Sequence, residues 1–264
     1  MALSVAGTDW TERVVFGGAM AALVVGAWLA LALVGASPYA GYLDHHVAIE
    51  ATALAYPLRL AVFVAGWLAM SVAMMLPSSL PLVTVFRTIT RRRPQPGRDL
   101  ALLTAGYLVT WGGFGLAAFL GDTALHAVVE RTGFLASAER LVVAGTLLLA
   151  GLFQFSPLKY SCLRQCRSPV GFLASHWHGG DRRWPALSLG LRHGLFCVGC
   201  CWALMLLMFA VGGVNLGWML GLGAVMFAEK TVGWGRWITV PVGALLALWG
   251  LGLLLGFPLV PAAL

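Results

Sequence analysis

Long apolar runs, separated by short polar segments that hold most of the charged residues, dominate the pattern along this chain. About 20 consecutive apolar residues are needed to cross the hydrocarbon of a bilayer as a helix. Six apolar runs approach or exceed that length, and a seventh, 216–228, is short and Gly-rich. In chain order the seven runs cover 14–36, 60–86, 100–121, 141–158, 191–214, 216–228 and 237–260. The pattern therefore predicts an all-α, polytopic transmembrane helical bundle of about seven spans. We expect residues 1–264 to form a single integral membrane domain, with a cytoplasmic loop at 159–190.

Composition supports the membrane class and excludes nucleic-acid binding as the reason for the basic charge. The chain is 60% hydrophobic and only 10% charged, whereas soluble domains carry about 25% charged residues. The formal charge of +7 is confined to loops, so it indicates topology. If all seven spans are real, fourteen of the 17 Lys and Arg residues lie on one side. That asymmetry predicts an N-terminus inside.

A stripe of sulfur-bearing side chains follows one face of the fifth predicted span. Cys197, Cys201, Met205 and Met208 recur at helical spacing, and Cys200 lies beside them. His193 comes one turn before the first of these cysteines. Thiolate and thioether ligands suit Cu(I), and the thiolates also suit Zn²⁺. The alternative is that small cysteine side chains serve only for helix packing.

The second predicted span carries a matching set of thioethers. Met70, Met74 and Met75 precede Pro77, a residue that frees a backbone carbonyl and kinks a helix. Counted at about 1.5 Å per residue from the cytoplasmic ends, these methionines reach the same depth as the sulfur atoms of the fifth span. We therefore expect the two spans to meet and their sulfur atoms to converge inside the bilayer.

A second group of ligand types lies in the segment between the fourth and fifth spans. Cys162 and Cys166 are four residues apart, and His176 and His178 follow. One helical turn would place both thiols on the same side. This group predicts a second, cytoplasmic metal site for delivery or sensing, although the spacing matches no standard zinc finger.

Four stretches resemble one bacterial family, described as predicted metal-binding integral membrane proteins (domain of unknown function 2182). They are MSVAMMLPSSLPL, FQFSPLKYSCLRQCRSP, RHGLFCVGCCWALMLLMFAVGGVNLGWM and the pair Glu229-Lys230. The resemblance covers about Trp67 to Lys230. It implies a multi-pass protein of the bacterial cytoplasmic (inner) membrane that binds metal. The motif positions correspond to the cysteines named above, to Met74, Met75 and Met205, and to the structural candidates Pro77, Lys159, Trp202, Asn215 and Glu229.

These observations favour soft-metal binding, with copper as the first candidate ion and zinc as the second. The sequence leaves open whether the metal is handled, inserted into another protein or allowed to permeate. The expected partners are the lipid bilayer, a metal-donor or membrane-complex protein, and another copy of the chain. One alternative function is a structural or assembly subunit of a membrane complex. A thiol oxidoreductase using Cys200 and Cys201 is a further alternative, but the sequence has no recognisable catalytic motif, so an enzyme is the less favoured class.

Overall fold

The computed structural model describes residues 2–37, 55–132, 135–179, 183–210 and 215–257. Within these ranges the chain is helical and contains no strand, which confirms the all-α prediction. The α-helices are α1 (Ala2–Gly35), α2 (Tyr56–Thr90), α3 (Pro96–Thr132), α4 (Leu135–Phe153), α5 (Pro157–Arg167), α6 (Pro169–His176), α7 (Trp184–Ala210), α8 (Leu216–Thr231) and α9 (Thr239–Leu254). A short 3₁₀ turn, Gly235–Trp237, precedes α9.

Five helices in the described ranges are long and apolar enough to cross a membrane. They contain Val14–Gly35, Pro57–Thr90, Pro96–Leu125, Trp184–Met208 and Gly235–Leu254. A sixth span is obtained if α4 and α5, which meet at 64°, are counted together. Helix α8 has 16 residues and is about 24 Å long at 1.5 Å per residue, less than the hydrocarbon thickness of about 30 Å. The bundle is therefore polytopic, while the count of seven and the inside N-terminus stay predictions.

The fourth predicted span, 141–158, is broken near its end. Helix α4 stops at Phe153, and α5 starts in a new direction at Pro157. Proline has no N–H to continue a helix but fits the first turn of a new one. The Ser156 side chain caps α5 by accepting a 3.0 Å hydrogen bond from the Lys159 backbone N–H. This local chemistry ends one helix and starts the next.

The segment 159–190, predicted as a loop, is largely helical where it is described. It contains most of α5, all of α6 and the first turns of α7. The side chains of Lys159, Cys162 and Leu163 are buried. The polar composition of the segment concealed this burial, because Arg164 and Arg183 lie at the surface while one face of α5 packs inward.

Pro77 lies inside α2 and frees the carbonyl of Ala73, one turn earlier. The indole N–H of Trp28 donates a 3.2 Å hydrogen bond to that carbonyl. In lipid, an unpaired backbone carbonyl is costly, so α1 supplies the partner that α2 lacks. Pro77 thus has a structural consequence at the contact between α1 and α2.

Glycines bring α3 and α7 into backbone contact. A Cβ at Gly190 would overlap the carbonyl oxygen of Leu103, and one at Gly106 would overlap that of Leu187. A Cβ at Gly194 would lie 2.7 Å from the Cβ of Thr110. Small residues permit such close approach where helix association depends on packing. This contact fixes α7, which carries three of the five cysteines.

Candidate metal centre

Sulfur atoms from three helices converge in the buried core. The Cys201 Sγ of α7 lies 3.6 Å from the Met75 Sδ of α2, and the Cys166 Sγ of α5 lies 3.9 Å from the Cys200 Sγ of α7. Cys197 Sγ belongs to the same group, because the Lys230 Nζ lies 3.1 Å from it and 3.8 Å from Cys201 Sγ. We call these five residues the sulfur cluster. The four that lie on α2 and α7 are almost completely buried.

The geometry of α7 brings its own thiols together. The Cys200 and Cys201 thiols donate to the Cys197 carbonyl oxygen at 3.1 and 2.8 Å. Such bonds from position i to i−3 and i−4 follow from the helical spacing. The helical spacing therefore accounts for this part of the cluster. The side chain of Met75 reaches it from α2, and a ligand role for these residues stays a prediction.

Lys230 inserts its ammonium group into the sulfur cluster. Its Nζ lies 3.1 Å from Cys197 Sγ, 3.3 Å from Met75 Sδ and 3.8 Å from Cys201 Sγ. The residue is 5% exposed. The sequence marked Lys230 only as part of the pair Glu229-Lys230 shared with the resembled family. It did not place Lys230 among the sulfur atoms.

A signal for Lys230 was present in the composition. The chain has 17 Lys and Arg residues, and only Lys159 and Lys230 are lysines. Both are buried, whereas most of the arginines belong to polar segments. A compact ammonium on a flexible stem reaches into a core more readily than a planar guanidinium. The two lysines were thus the basic residues least suited to a purely topological role.

Lys159 forms a buried ion pair with Glu229 that joins α5 to α8. The distance between Lys159 Nζ and Glu229 Oε2 is 2.7 Å, and the two side chains are 0% and 2% exposed. Arg167 adds hydrogen bonds from its guanidinium to the carbonyls of Glu229, Val232 and Gly233 at the end of α8. These contacts hold Cys166 and Lys230 against the same part of the core.

The polar side chains of Tyr107 and His193 lie beside the sulfur cluster and stack on each other. The Tyr107 hydroxyl lies 3.3 Å from Cys197 Sγ, and its ring stacks on that of His193 at 5.6 Å. His193 Nε2 is 3.2 Å from the Ser79 hydroxyl. Its buried Nδ1 has no hydrogen-bond partner within the described ranges. His193 therefore lies next to the cluster through Tyr107, a residue that the sequence did not single out.

The second predicted site, made of Cys162, Cys166, His176 and His178, is not assembled as one group. Cys166 joins the sulfur cluster instead. Cys162 packs against the backbone of Gly199, where an added Cβ would lie 2.6 Å from its sulfur. His176 stacks on Phe172 and contacts its carbonyl oxygen at 2.9 Å, whereas His178 is exposed.

The remaining predicted residues pack in or around the same core. Met70, Met74, Met205 and Met208 are buried in the hydrophobic cluster that contains the cysteines. Trp202 packs edge-on against Phe153 of α4, at a ring distance of 5.0 Å. Asn215 caps α8 by accepting a 3.2 Å hydrogen bond from the Trp218 N–H. These contacts are structural, and a ligand role for the four methionines stays a prediction.

Among the residues that the structure describes, no three His, Cys, Asp or Glu side chains are arranged to hold a metal ion. The sulfur atoms meet in pairs, and an ammonium group lies between some of them. Methionine is not one of those four residue types, and the thioether of Met75 adds a further soft donor atom to the cluster. The donor chemistry fits a soft ion better than tetrahedral Zn²⁺, which requires four well-placed ligands.

Comparison with known proteins identifies a family for this chain. No curated protein and no solved structure matches the chain. A family model described as "PpoB2: Copper chaperone" matches residues 64–253, which include every member of the sulfur cluster and Lys230. This copper link agrees with the metal-binding character implied by the sequence resemblance. The chain therefore belongs to the PpoB2 copper chaperone family.

Proposed function

We propose that this protein is a membrane copper chaperone that holds Cu(I) as cargo in the sulfur cluster and passes it to a copper-receiving protein. The observation that carries the proposal is the convergence of thiols from α5 and α7 with a thioether from α2, at 3.6 and 3.9 Å. Thiolate and thioether donors select Cu(I) over Mg²⁺, Ca²⁺ and Mn²⁺. The family match supports copper as the ion.

Cys166 is proposed as the thiol through which copper enters or leaves. It is half-buried, whereas Cys197, Cys200 and Cys201 are each 1% exposed. An ion bound first by Cys166 and Cys200 would pass inward by ligand exchange. Each new Cu–S bond forms as another breaks, and a proton moves from the incoming thiol to the released one. Copper stays Cu(I) throughout.

Lys230 is proposed to balance the negative charge of the cluster both before and after copper binds. An ammonium group 3.1 Å from Cys197 Sγ favours the thiolate form, which is the form that binds metal. When Cu(I) binds two thiolates, the group carries one negative charge, and the ammonium neutralises it inside the core. The site can therefore hold the ion without burying net charge, which would be costly in a low dielectric.

The competing proposal is a structural subunit whose cysteines serve only for helix packing. The contacts of one cysteine, Cys162, favour a packing role. The Cys162 thiol packs against the backbone of Gly199 and is not a member of the sulfur cluster defined above. Cys162→Ser is therefore the matched control for the cluster cysteines.

Metal analysis of the full chain purified in detergent tests the proposal. After loading with Cu(I) under reducing conditions, wild type and Cys162→Ser should retain near-stoichiometric copper. The triple variant Cys197→Ser/Cys200→Ser/Cys201→Ser should lose it. Equal copper in the triple variant and in wild type would contradict the proposal and favour the packing role.

A further inference from the structure

Lys230 places a fixed positive charge where the cargo would bind. Its ammonium contacts Cys197, Met75 and Cys201 within 3.8 Å. The adjacent carboxylate, Glu229, is directed to Lys159 at 2.7 Å. Glu229 therefore neutralises the other lysine, and the charge of Lys230 is left facing the sulfur atoms.

The position of Lys230 on α8 helps to keep that charge in the core. Helix α8 ends at Thr231, so Lys230 lies in its last turn. The negative end of the helix dipole stabilises a cation there. The surrounding sulfur atoms are polarizable acceptors. The phenolic hydroxyl of Tyr107 lies 3.3 Å from the sulfur of Cys197, which also contacts the ammonium. The ammonium is thus held by the fold before any metal arrives.

We propose that Lys230 makes the sulfur cluster selective for a monovalent cation over a divalent one. This inference rests on the proposed function, in which the cluster holds copper. The ammonium repels a bound metal ion in proportion to the charge of that ion. Whatever the exact ligand set, the repulsion on Zn²⁺ or Cu²⁺ is twice that on Cu(I).

The size of the effect follows from Coulomb's law. An ion bound at Cys197 would lie roughly 5 Å from the ammonium. At that distance, and with an effective dielectric constant of about 20, the repulsion of one additional unit of positive charge lowers the affinity roughly 100-fold. Thiolate ligands alone do not give this discrimination, because they bind Zn²⁺ as well as Cu(I). Lys230 supplies the preference that the sulfur atoms lack.

Competition binding on the full chain in detergent tests this inference. Cu(I) affinity is measured against bicinchoninate, and Zn²⁺ affinity against a chromophoric zinc chelator. Ag⁺ and Cd²⁺ provide a second monovalent–divalent pair that undergoes no redox change. The variants are Lys230→Leu and Lys230→Gln, which remove the charge, and Lys230→Arg, which keeps it. Met219→Leu, a neutral change at a buried position of the same helix, is the control.

We expect the two neutral variants to lower the Cu(I):Zn²⁺ and Ag⁺:Cd²⁺ affinity ratios by roughly 100-fold. Lys230→Arg should change the ratios much less, and Met219→Leu should leave them unchanged. Lys230→Gln keeps hydrogen-bonding capacity and serves if the leucine variant does not fold.

Two results would overturn the inference while leaving copper binding intact. One is a folded neutral variant whose affinity ratios equal those of wild type, or which loses both metals equally. The other is a wild-type protein that binds Cd²⁺ at least as tightly as Ag⁺, which requires no variant. A wild type that binds neither Cu(I) nor Ag⁺ would instead contradict the proposed function itself.

Discussion

Breaking the buried ion pair between Lys159 and Glu229 should strongly destabilise the protein. Glu229→Gln removes the negative charge but keeps the shape, so the ammonium of Lys159 is left uncompensated in the core. The two side chains are 0% and 2% exposed, and their charged atoms lie 2.7 Å apart. Removing one partner of such a buried pair costs about 3–5 kcal/mol. The free energy of unfolding should fall by that amount.

The double variant Lys159→Met/Glu229→Leu distinguishes the cost of an unpaired buried charge from the cost of altered packing. Replacing both charges with apolar groups is often neutral or stabilising. The second carboxylate oxygen of Glu229 also has no hydrogen-bond partner within the described ranges, so the pair is incompletely satisfied. We therefore expect the free energy of unfolding of the double variant to lie within about 1 kcal/mol of the wild-type value or above it.

The assay is unfolding of the purified protein by sodium dodecyl sulfate, followed by circular dichroism. Arg93→Gln is a matched control. The ion pair between Arg93 and Asp99 is also 2.7 Å long, but Arg93 is 20% exposed, and the buried Asp99 keeps Arg98 as a second partner at 3.4 Å. Water screens such a pair, and we expect a cost of at most about 1 kcal/mol. A Glu229→Gln variant no less stable than Arg93→Gln would refute the reasoning.

Three further predictions follow from other contacts. Trp28→Phe should cost about 1–3 kcal/mol, because it leaves the Ala73 carbonyl unpaired; the loss should disappear in a Pro77→Ala background, as the same unfolding assay would show. Gly190→Ala should destabilise the contact between α3 and α7 by at least about 1–3 kcal/mol, whereas Gly113→Ala, which has open space around it, should be neutral. Cys166→Ser should slow the transfer of Cu(I) to an external chelator, measured by stopped-flow absorbance, while equilibrium copper content changes little; unchanged transfer rates would remove Cys166 from the route.

The helical class and the sulfur face of α7 were predictable from the sequence, because both depend on local periodicity. The i, i+4 spacing of Cys197 and Cys201 decides which side of the helix they share, independently of the rest of the fold. The depth of Met75 was also countable, because a helix rises by a constant amount per residue. Met75 and Cys201 lie near each other, but the depth count by itself did not single out this pair.

The parts that the sequence did not predict depend on tertiary packing. The turn at Ser156 redirects the chain, so α5 places Cys166 beside α7 and not in a loop. Burial of α5 requires the small residue Gly199 on its neighbour, a pairing that one sequence alone does not reveal. Likewise, the rotation of α8 decides whether Lys230 faces water or sulfur, and local periodicity carries no information about that rotation.

X-ray absorption at the copper edge of the Cu(I)-loaded full chain tests the central claim most directly, because it reports the atoms bound to the ion. We predict a coordination shell of sulfur atoms and an absorption edge at the energy typical of Cu(I). The variant Cys197→Ser/Cys200→Ser/Cys201→Ser should bind no copper. A shell of nitrogen and oxygen atoms, or a copper spectrum unaffected by these three substitutions, would contradict the claim.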